Sequence, residues 1–481
     1  MQILFAVSEM APWVKTGGLG DVAAALPAAL RARGIDIRVL MPRYPALRQA
    51  FPDATWLAAL PALAPGLPPA RLLQAEHEGL PLWLLDCPEL FDRPGHPYVA
   101  PDGHDWPDNG IRFGLLARAA ATLSQPWSPL AWRPHLLHLN DWQTALAAAH
   151  LHYEGGAASL VTIHNVAFQG CFPRELMFQL RLPEKAWSFD GVELHGAFSF
   201  LKAGLQFATR ISTVSPTYAE EITDPAIGYD LAPLLEHRRE ALTGIVNGID
   251  RALWNPASDP ALTAPYAANR LAAKRRNKAA LQAELGLEAS EALPLFAVVS
   301  RLTEQKGLDL VLALGDRLAD LPAQLAVLGT GDAAMQNGFR RLAARHPRRI
   351  AARIGFDEAL AHRIEAGADC FLMPSRFEPC GLNQLYSLAY GTPPIVRATG
   401  GLADTVVDCT PASLADGSGN GFVFLQPTVE ALWQTIARAV ALWHRRKDWH
   451  RLQQNGMRVD HSWKRSAAQY AALYRQTFAA R

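Results

Sequence analysis

No run of residues in this 481-residue chain stays apolar for the ~18–20 positions that a membrane-spanning helix needs. Its first residues lack a charged segment followed by an apolar one, so no secretory signal is expected. Neither sign of charge is in excess. Lys and Arg number 46 against 45 Asp and Glu, a formal net charge of +1, and there is no polybasic run. This argues against nucleic acid and against a membrane surface as partners. Cysteine is scarce: Cys87, Cys171, Cys370, Cys380 and Cys409 make an odd count, and no two have Cys-x-x-Cys spacing. A disulfide framework and a zinc site are therefore not expected, and a reduced, cytoplasmic compartment is. Short repeats of solenoid type are absent.

What remains is a long chain, 49% hydrophobic, with room for two or more cored domains. Apolar strand-like runs alternate with helical patterns. The first part reads as a strand at 2–7, a glycine loop, a helix at 20–33 and a strand at 36–41. Further apolar runs cover Leu82 to Leu85, His135 to Leu139, Leu160 to Ile163 and Ile211 to Val214. From residue 294 the alternation is regular. Strands are expected at 295–299, 324–328, 350–354, 370–373 and 394–397. Helices are expected at 307–319, 332–345, 357–367 and 382–390. Such alternation implies parallel sheets covered on both faces, an α/β fold. The break falls near Asn247-Gly248-Ile249-Asp250, and the Pro- and Ala-rich stretch to 273 reads as linker. The expected domains are 1–250 and 251–464, with a last helix in 465–481 returning to the first. Residues 43–80 fit no pattern, and 91–110 read as a long functional loop.

The phrase Thr-Gly-Gly-Leu-x-Asp occurs twice, at Thr16 to Asp21 and at Thr399 to Asp404. Each copy lies between a strand and a helix. There, backbone N–H groups and the helix dipole could seat an anion, or the glycines could serve tight turns alone. Cations sharpen the first reading. Arg301 and Lys306 lie in Ser300-Arg301-Leu302-Thr303-Glu304-Gln305-Lys306-Gly307, which opens a helix, and Lys15 precedes the first glycine pair. A cation opposes the dipole at a helix start. Three of them there point to a shared anionic ligand, with Arg as a fork for phosphate oxygens and Lys as a point charge.

These two segments resemble the bacterial glycogen synthase and plant starch synthase family of glycosyltransferases. So do Leu139-Asn140-Asp141-Trp142, Thr162-Ile163-His164-Asn165, Val214 to Tyr218, Asn247 to Asp250, and Pro374-Ser375-Arg376-Phe377-Glu378-Pro379-Cys380-Gly381-Leu382-Asn383-Gln384-Leu385-Tyr386. The resemblance spans essentially the whole chain. It implies the GT-B architecture, in which two Rossmann-like domains with parallel sheets face a central cleft. The first domain is expected to serve a glucan acceptor and the second a nucleotide-sugar donor. The implied reaction moves glucose from ADP-glucose to the non-reducing end of an α-1,4-glucan with retention at C1. Many glycosyltransferases hold a metal with Asp-x-Asp. This chain has no Asp-x-Asp, so no metal or other cofactor is expected.

By the same resemblance, Arg301 and Lys306 hold the diphosphate. Amides at Gly18 and at the Gly381-Leu382-Asn383 helix start assist, and Lys15 belongs to the same site. His164 faces the transferred glucose, Asp141 touches glucose or acceptor, and Glu378 lies beside the donor sugar. Substrate contacts are also implied at Gly17, Asn247 and Cys380. Phe356 supplies an adenine-stacking face. Tyr386 stands where many related retaining enzymes carry a second glutamate, and Asn383 where close relatives carry Thr.

Other readings stay open at this point. Gly18-x-Gly20-x-x-Ala23 fits a relaxed dinucleotide fingerprint, and Arg43 would suit the 2′-phosphate of an NADP-dependent oxidoreductase. A non-catalytic glucan-binding regulator, or a nucleotide-sugar epimerase, could use the same scaffold. Retention of Lys15, His164, Arg301, Lys306 and Glu378 together favours the transferase.

Overall fold

The apolar segments pair in parallel and are buried on both faces, which is why they read as near-continuous hydrophobic runs. A computed structural model describes residues 1–480. The chain forms two units, Met1–Gly248 joined by the chain from Trp463 onward, and Ile249–Ser462.

The first unit contains β1 (Gln2–Ala6), β2 (Asp36–Pro42), β3 (Thr55–Leu60), β4 (Ala70–His77), β5 (Leu80–Asp86), β6 (Leu136–Asn140), β7 (Ala158–Ile163), β8 (Cys171–Phe172), β9 (Glu193–Leu194), β10 (Ala197–Ser199), β11 (Arg210–Thr213) and β12 (Leu242–Gly244). Nine of these form one sheet in the order β12-β11-β7-β6-β1-β2-β5-β4-β3. The seven from β12 to β5 run parallel. The last two strands are antiparallel, with a bulge between Trp56 and Ala58. Residues 43–80, which fit no sequence pattern, supply this edge and the helix Pro45–Ala50. β8, β10 and β9 form a small antiparallel sheet.

The helix Gly18–Arg31 buries Leu19, Val22, Ala23, Leu26 and Leu30, the i, i+3, i+4, i+7 stripe of an amphipathic helix. The C-terminal helix Trp463–Ala479 packs against it and against β6 and β7. A buried polar chain fixes that docking. The Tyr474 hydroxyl lies 2.7 Å from His138 Nδ1, His138 Nε2 lies 2.6 Å from Thr162 Oγ1, and Thr162 Oγ1 lies 2.6 Å from Ser212 Oγ. Both imidazole nitrogens are thus engaged, as a buried histidine requires. Burial pushes the His138 pKa well below the usual imidazole range.

The second unit holds β13 (Leu295–Val299), β14 (Gln324–Gly329), β15 (Ile350–Ile354), β16 (Cys370–Met373), β17 (Pro394–Arg397) and β18 (Phe422–Phe424). All six are parallel, in the order β15-β14-β13-β16-β17-β18. The helix expected at 307–319 is broken at Leu314 into Leu308–Ala313 and Gly315–Asp320. Among the described residues no helix is long and apolar enough to cross a membrane.

The supposed linker after residue 250 is instead part of the second unit's core. Trp254, 8% exposed, stacks on Tyr386 at 3.7 Å and 9°, and on His362 at 3.9 Å and 13°. Buried Asp259 accepts from His362 Nδ1 at 2.7 Å and from the Tyr390 hydroxyl at 2.5 Å, and Tyr266 donates to the Tyr390 carbonyl at 2.7 Å. Aromatic rings interspersed among turn residues carried the packing that composition hid. Trp254→Ala should therefore lower stability by about 3–5 kcal/mol, the usual loss for a buried aromatic. Chemical denaturation reads this directly, and an unchanged midpoint would restore the linker reading.

Candidate functional site

In the first unit the expected residues gather at the C-terminal ends of parallel strands, the edge where α/β sheets take ligands. β6 ends at Asn140, and Asp141 follows with φ 54°, a conformation costly for a non-glycine residue. Asp141 starts the helix Trp142–Glu154, yet its side chain does not cap it. The carboxylate instead accepts from the His164 N–H at 2.7 Å, tying β6 to the end of β7. Asn140 Oδ1 lies 3.0 Å from His164 Nε2, and Asn140 Nδ2 donates to the Ala6 carbonyl at 3.0 Å. Burial pushes the Asp141 pKa up to about 7 against the N–H bonds that lower it. Burial pulls His164 down to about 3, so its imidazole is neutral near pH 7. Asn247 is buried, and its Oδ1 has no hydrogen-bond partner among the described residues.

The first glycine phrase is exposed from Lys15 to Gly18. Lys15 pairs with Asp21 at 2.8 Å, Gly17 caps the helix and Gly18 begins it. Eleven residues separate Ala6, the end of β1, from the helix start at Gly18, so the tight strand-to-helix turn of a dinucleotide fingerprint is absent. Sequence reasoning missed Glu9. It is 3% exposed and accepts from the Thr16 N–H at 2.5 Å and the Thr16 hydroxyl at 2.9 Å. An acid three residues past the end of the first parallel strand was the available signal.

In the second unit, Lys306 Nζ lies 2.6 Å from Glu378 Oε2, and Ser375 Oγ donates to the same oxygen at 3.0 Å. The backbone explains the meeting. Lys306 closes a 3₁₀ turn, and Gly307 after it is the N-cap of the helix Leu308–Ala313. Gly307 follows with φ 66°, and a Cβ there would fall 2.0 Å from the Pro374 carbonyl oxygen. Only glycine lets the two loops close. Arg376 fastens them: it is bidentate to Asp309 at 2.6 and 2.7 Å, and its N–H donates to the Gln305 carbonyl at 2.8 Å.

Gly381 (φ 69°) and Leu382 lead into the helix Asn383–Ala389, and the Asn383 side-chain amide donates to the Val299 carbonyl. Cys380 is buried. Arg301 is exposed, 3.5 Å from Gln305 Oε1. Phe356 is 83% exposed. Tyr386 has no surface role, because it is held in the Trp254 stack.

The second glycine phrase is not an anion seat. The Gly401 N–H donates to the Glu378 carbonyl at 3.1 Å, and a Cβ on Gly401 would lie 2.0 Å from the Cys380 carbonyl oxygen. Its glycines serve close packing under the Glu378 loop. Among the described residues no three His, Cys, Asp or Glu side chains gather closely enough to hold a metal ion.

Residues 2–237 match the starch synthase catalytic domain, and residues 286–456 match glycosyl transferases group 1. The two α/β units and their family matches together make this a glycosyltransferase of GT-B type. The chain is 67% identical over 481 residues to a glycogen synthase of Dechloromonas aromatica (strain RCB), covering 100% of this chain and 99% of that one. A glycogen synthase of Nitrosomonas europaea is 52% identical, with 98% and 97% covered. The solved catalytic domain of starch synthase IV from Arabidopsis thaliana, bound to ADP and acarbose, has a TM-score of 0.87 at 31% identity and 99% coverage of both chains. Sucrose-phosphate synthase from Thermosynechococcus elongatus, at 19% identity and TM-score 0.61, shares the fold. The chain belongs to the glycogen synthase family.

The pKa of Asp141 gives a testable pH dependence. Its folded value of about 7 exceeds the ordinary 3.8. The stability this confers is complete below the ordinary value and lost as pH rises through about 7. His164 runs the other way: its contribution is complete above 6.5 and lost as pH falls toward about 3. Asp141→Asn keeps an acceptor oxygen but removes the first dependence. Between pH 5 and pH 8 the variant's Tm should fall less than that of the unmodified chain. Equal falls in thermal melts would contradict the burial account.

Proposed function

We propose that this chain transfers glucose from ADP-glucose to the non-reducing end of an α-1,4-glucan, with retention at C1, in the cytoplasm and without a metal cofactor. The observation that carries this is the Lys306–Glu378 pair at 2.6 Å beside the Gly381-Leu382-Asn383 helix start. A departing nucleoside diphosphate gains negative charge as the C1–O bond breaks. Lys306 and Arg301 neutralise it, and amides at the helix start donate to phosphate oxygens. Fixed cations thus take the part a divalent ion plays elsewhere.

Glu378 Oε2 is engaged by Lys306 and Ser375. Its other oxygen is left by both, and stands to stabilise an oxocarbenium-like C1 of the donor sugar. The second unit is the donor side, where exposed Phe356 offers a face for adenine. The first unit is the acceptor side. There Asp141 and neutral His164 contact the transferred glucose, and Lys15 with the Gly17-Gly18 amides adds to the nucleotide-sugar site. The starch synthase relative was solved bound to ADP and acarbose, which supports both halves of the reading.

Incorporation of labelled glucose into glycogen tests it, with ADP-glucose and UDP-glucose side by side and with excess EDTA. The expected result is a higher kcat/KM with ADP-glucose and a full rate in EDTA. A preference for UDP-glucose would overturn the donor assignment. A rate lost in EDTA and restored by magnesium or manganese would overturn the metal-free account.

A further inference from the structure

Glu9 has a place in the site that its burial makes easy to overlook. Both carboxylate oxygens are occupied. Oε2 takes the Thr16 N–H at 2.5 Å, while Oε1 takes the Thr16 hydroxyl at 2.9 Å and the Tyr98 hydroxyl at 3.0 Å. The residue is 3% exposed, and both its carboxylate oxygens are taken up by the protein's own groups. Burying an ionised carboxylate is costly unless such bonds compensate it. Two loops far apart in sequence supply them.

Tyr98 is itself fixed at both ends. Its hydroxyl lies 2.7 Å from Ser8 Oγ, and its carbonyl accepts from Asn109 Nδ2 at 2.9 Å. Fully buried Arg112 then holds Asn109 Oδ1 and the Pro97 carbonyl, each at 2.7 Å. One bonded path therefore runs from the base of the helix Asn109–Thr122, through Tyr98 and Glu9, to Thr16. The exposed residues on either side of Thr16 are Lys15, Gly17 and Gly18.

We propose that Glu9 is a positioning residue for glucosyl transfer, whose buried carboxylate clamps Thr16 and so sets the Lys15–Gly18 loop in the conformation that receives the donor. This rests on the functional reading above. The loop's flanks are held separately, the Val14 N–H on the Met10 carbonyl and the Ala11 N–H on the Gly20 carbonyl. Nothing lies within 4 Å of where a Gly17 Cβ would be, and Lys15 is held by a single ion pair to Asp21. Preorganisation of donors at a phosphate is lost when their backbone drifts, and a misplacement of ~1 Å can cost ~10²-fold in rate.

Steady-state kinetics with ADP-glucose and thermal melts on Glu9→Gln, Thr16→Val, Thr16→Ser and the Glu9→Gln/Thr16→Val double variant test it. Glutamine keeps one acceptor oxygen for the Thr16 N–H but removes the charge and turns an NH₂ toward the Thr16 and Tyr98 hydroxyls, which donate to Oε1 in the unmodified chain. Valine removes the hydroxyl bond alone, and serine retains it. Glu9→Gln and Thr16→Val should each raise the donor KM and lower kcat/KM by about 10- to 100-fold. The double variant should be no worse than Glu9→Gln. Thr16→Ser should behave as the unmodified chain, with melts close together.

Additive losses, an unchanged donor KM, or a Thr16→Ser as damaged as Thr16→Val would overturn the proposal. So would losses that follow the melting temperature. If Glu9→Gln does not fold, the contrast between Thr16→Val and Thr16→Ser decides alone. An unmodified chain that transfers no glucose would instead defeat the functional reading.

Discussion

The second unit's site depends on one ion pair, Lys306 with Glu378, held at 2.6 Å on side chains 18% and 6% exposed. A carboxylate that deep is costly to bury alone, and a cation beside it offsets that cost only if the geometry is fixed. Much of the surrounding backbone supplies that geometry. Gly307 brings the β13 loop against Pro374, Arg376 ties the two loops through Asp309, and Gly401 packs beneath Cys380. The glycines are there for close approach, and the arginine for planar bidentate reach. The same pair then gives the chemistry a fixed cation beside a fixed carboxylate.

The first unit meets its demands differently. Around Asp141 and His164 burial outweighs partner charges, so the imidazole is neutral and the carboxyl is easily protonated near pH 7. Hydrogen bonds to backbone, rather than cations, hold these side chains. Such a surface suits the hydroxyls of a sugar, whereas Lys306 and Arg301 suit phosphate. The exposed Lys15–Gly18 loop belongs to the same unit. Glu9 and Tyr98 hold that loop from below.

How far this could be read from sequence follows from burial. Parallel strands covered on both faces are continuous apolar runs, so β1, β6, β7 and β13 to β17 were legible, whereas three-residue β18 was too short to show. β3 and β4 were not, because an antiparallel edge with one exposed face and an Ala- and Pro-rich composition carries no such run. The Trp254 stack was hidden among Asn, Asp and Pro residues that look like a loop. Lys306, Glu378, His164 and Asp141 were legible because each lies in a long motif. Glu9 was not, since an isolated polar residue shows its role only through its partner, and Asn140 and Ser375, though inside those motifs, showed no role until His164 and Glu378 were seen beside them. The two glycine phrases look alike in sequence but differ in structure, the first exposed and the second packed under Glu378.

Lys306 as a fixed cation for the leaving diphosphate is the central claim, and steady-state kinetics of Lys306→Ala beside a thermal melt test it most directly. Removing one preorganised electrostatic donor commonly costs ~10²–10³ in kcat. A loss of that size, greater than the loss in donor affinity and with a melt near that of the unmodified chain, is the predicted result. A change confined to KM would show uniform binding instead. A near-normal kcat, or an activity loss explained by a collapsed Tm, would contradict the account.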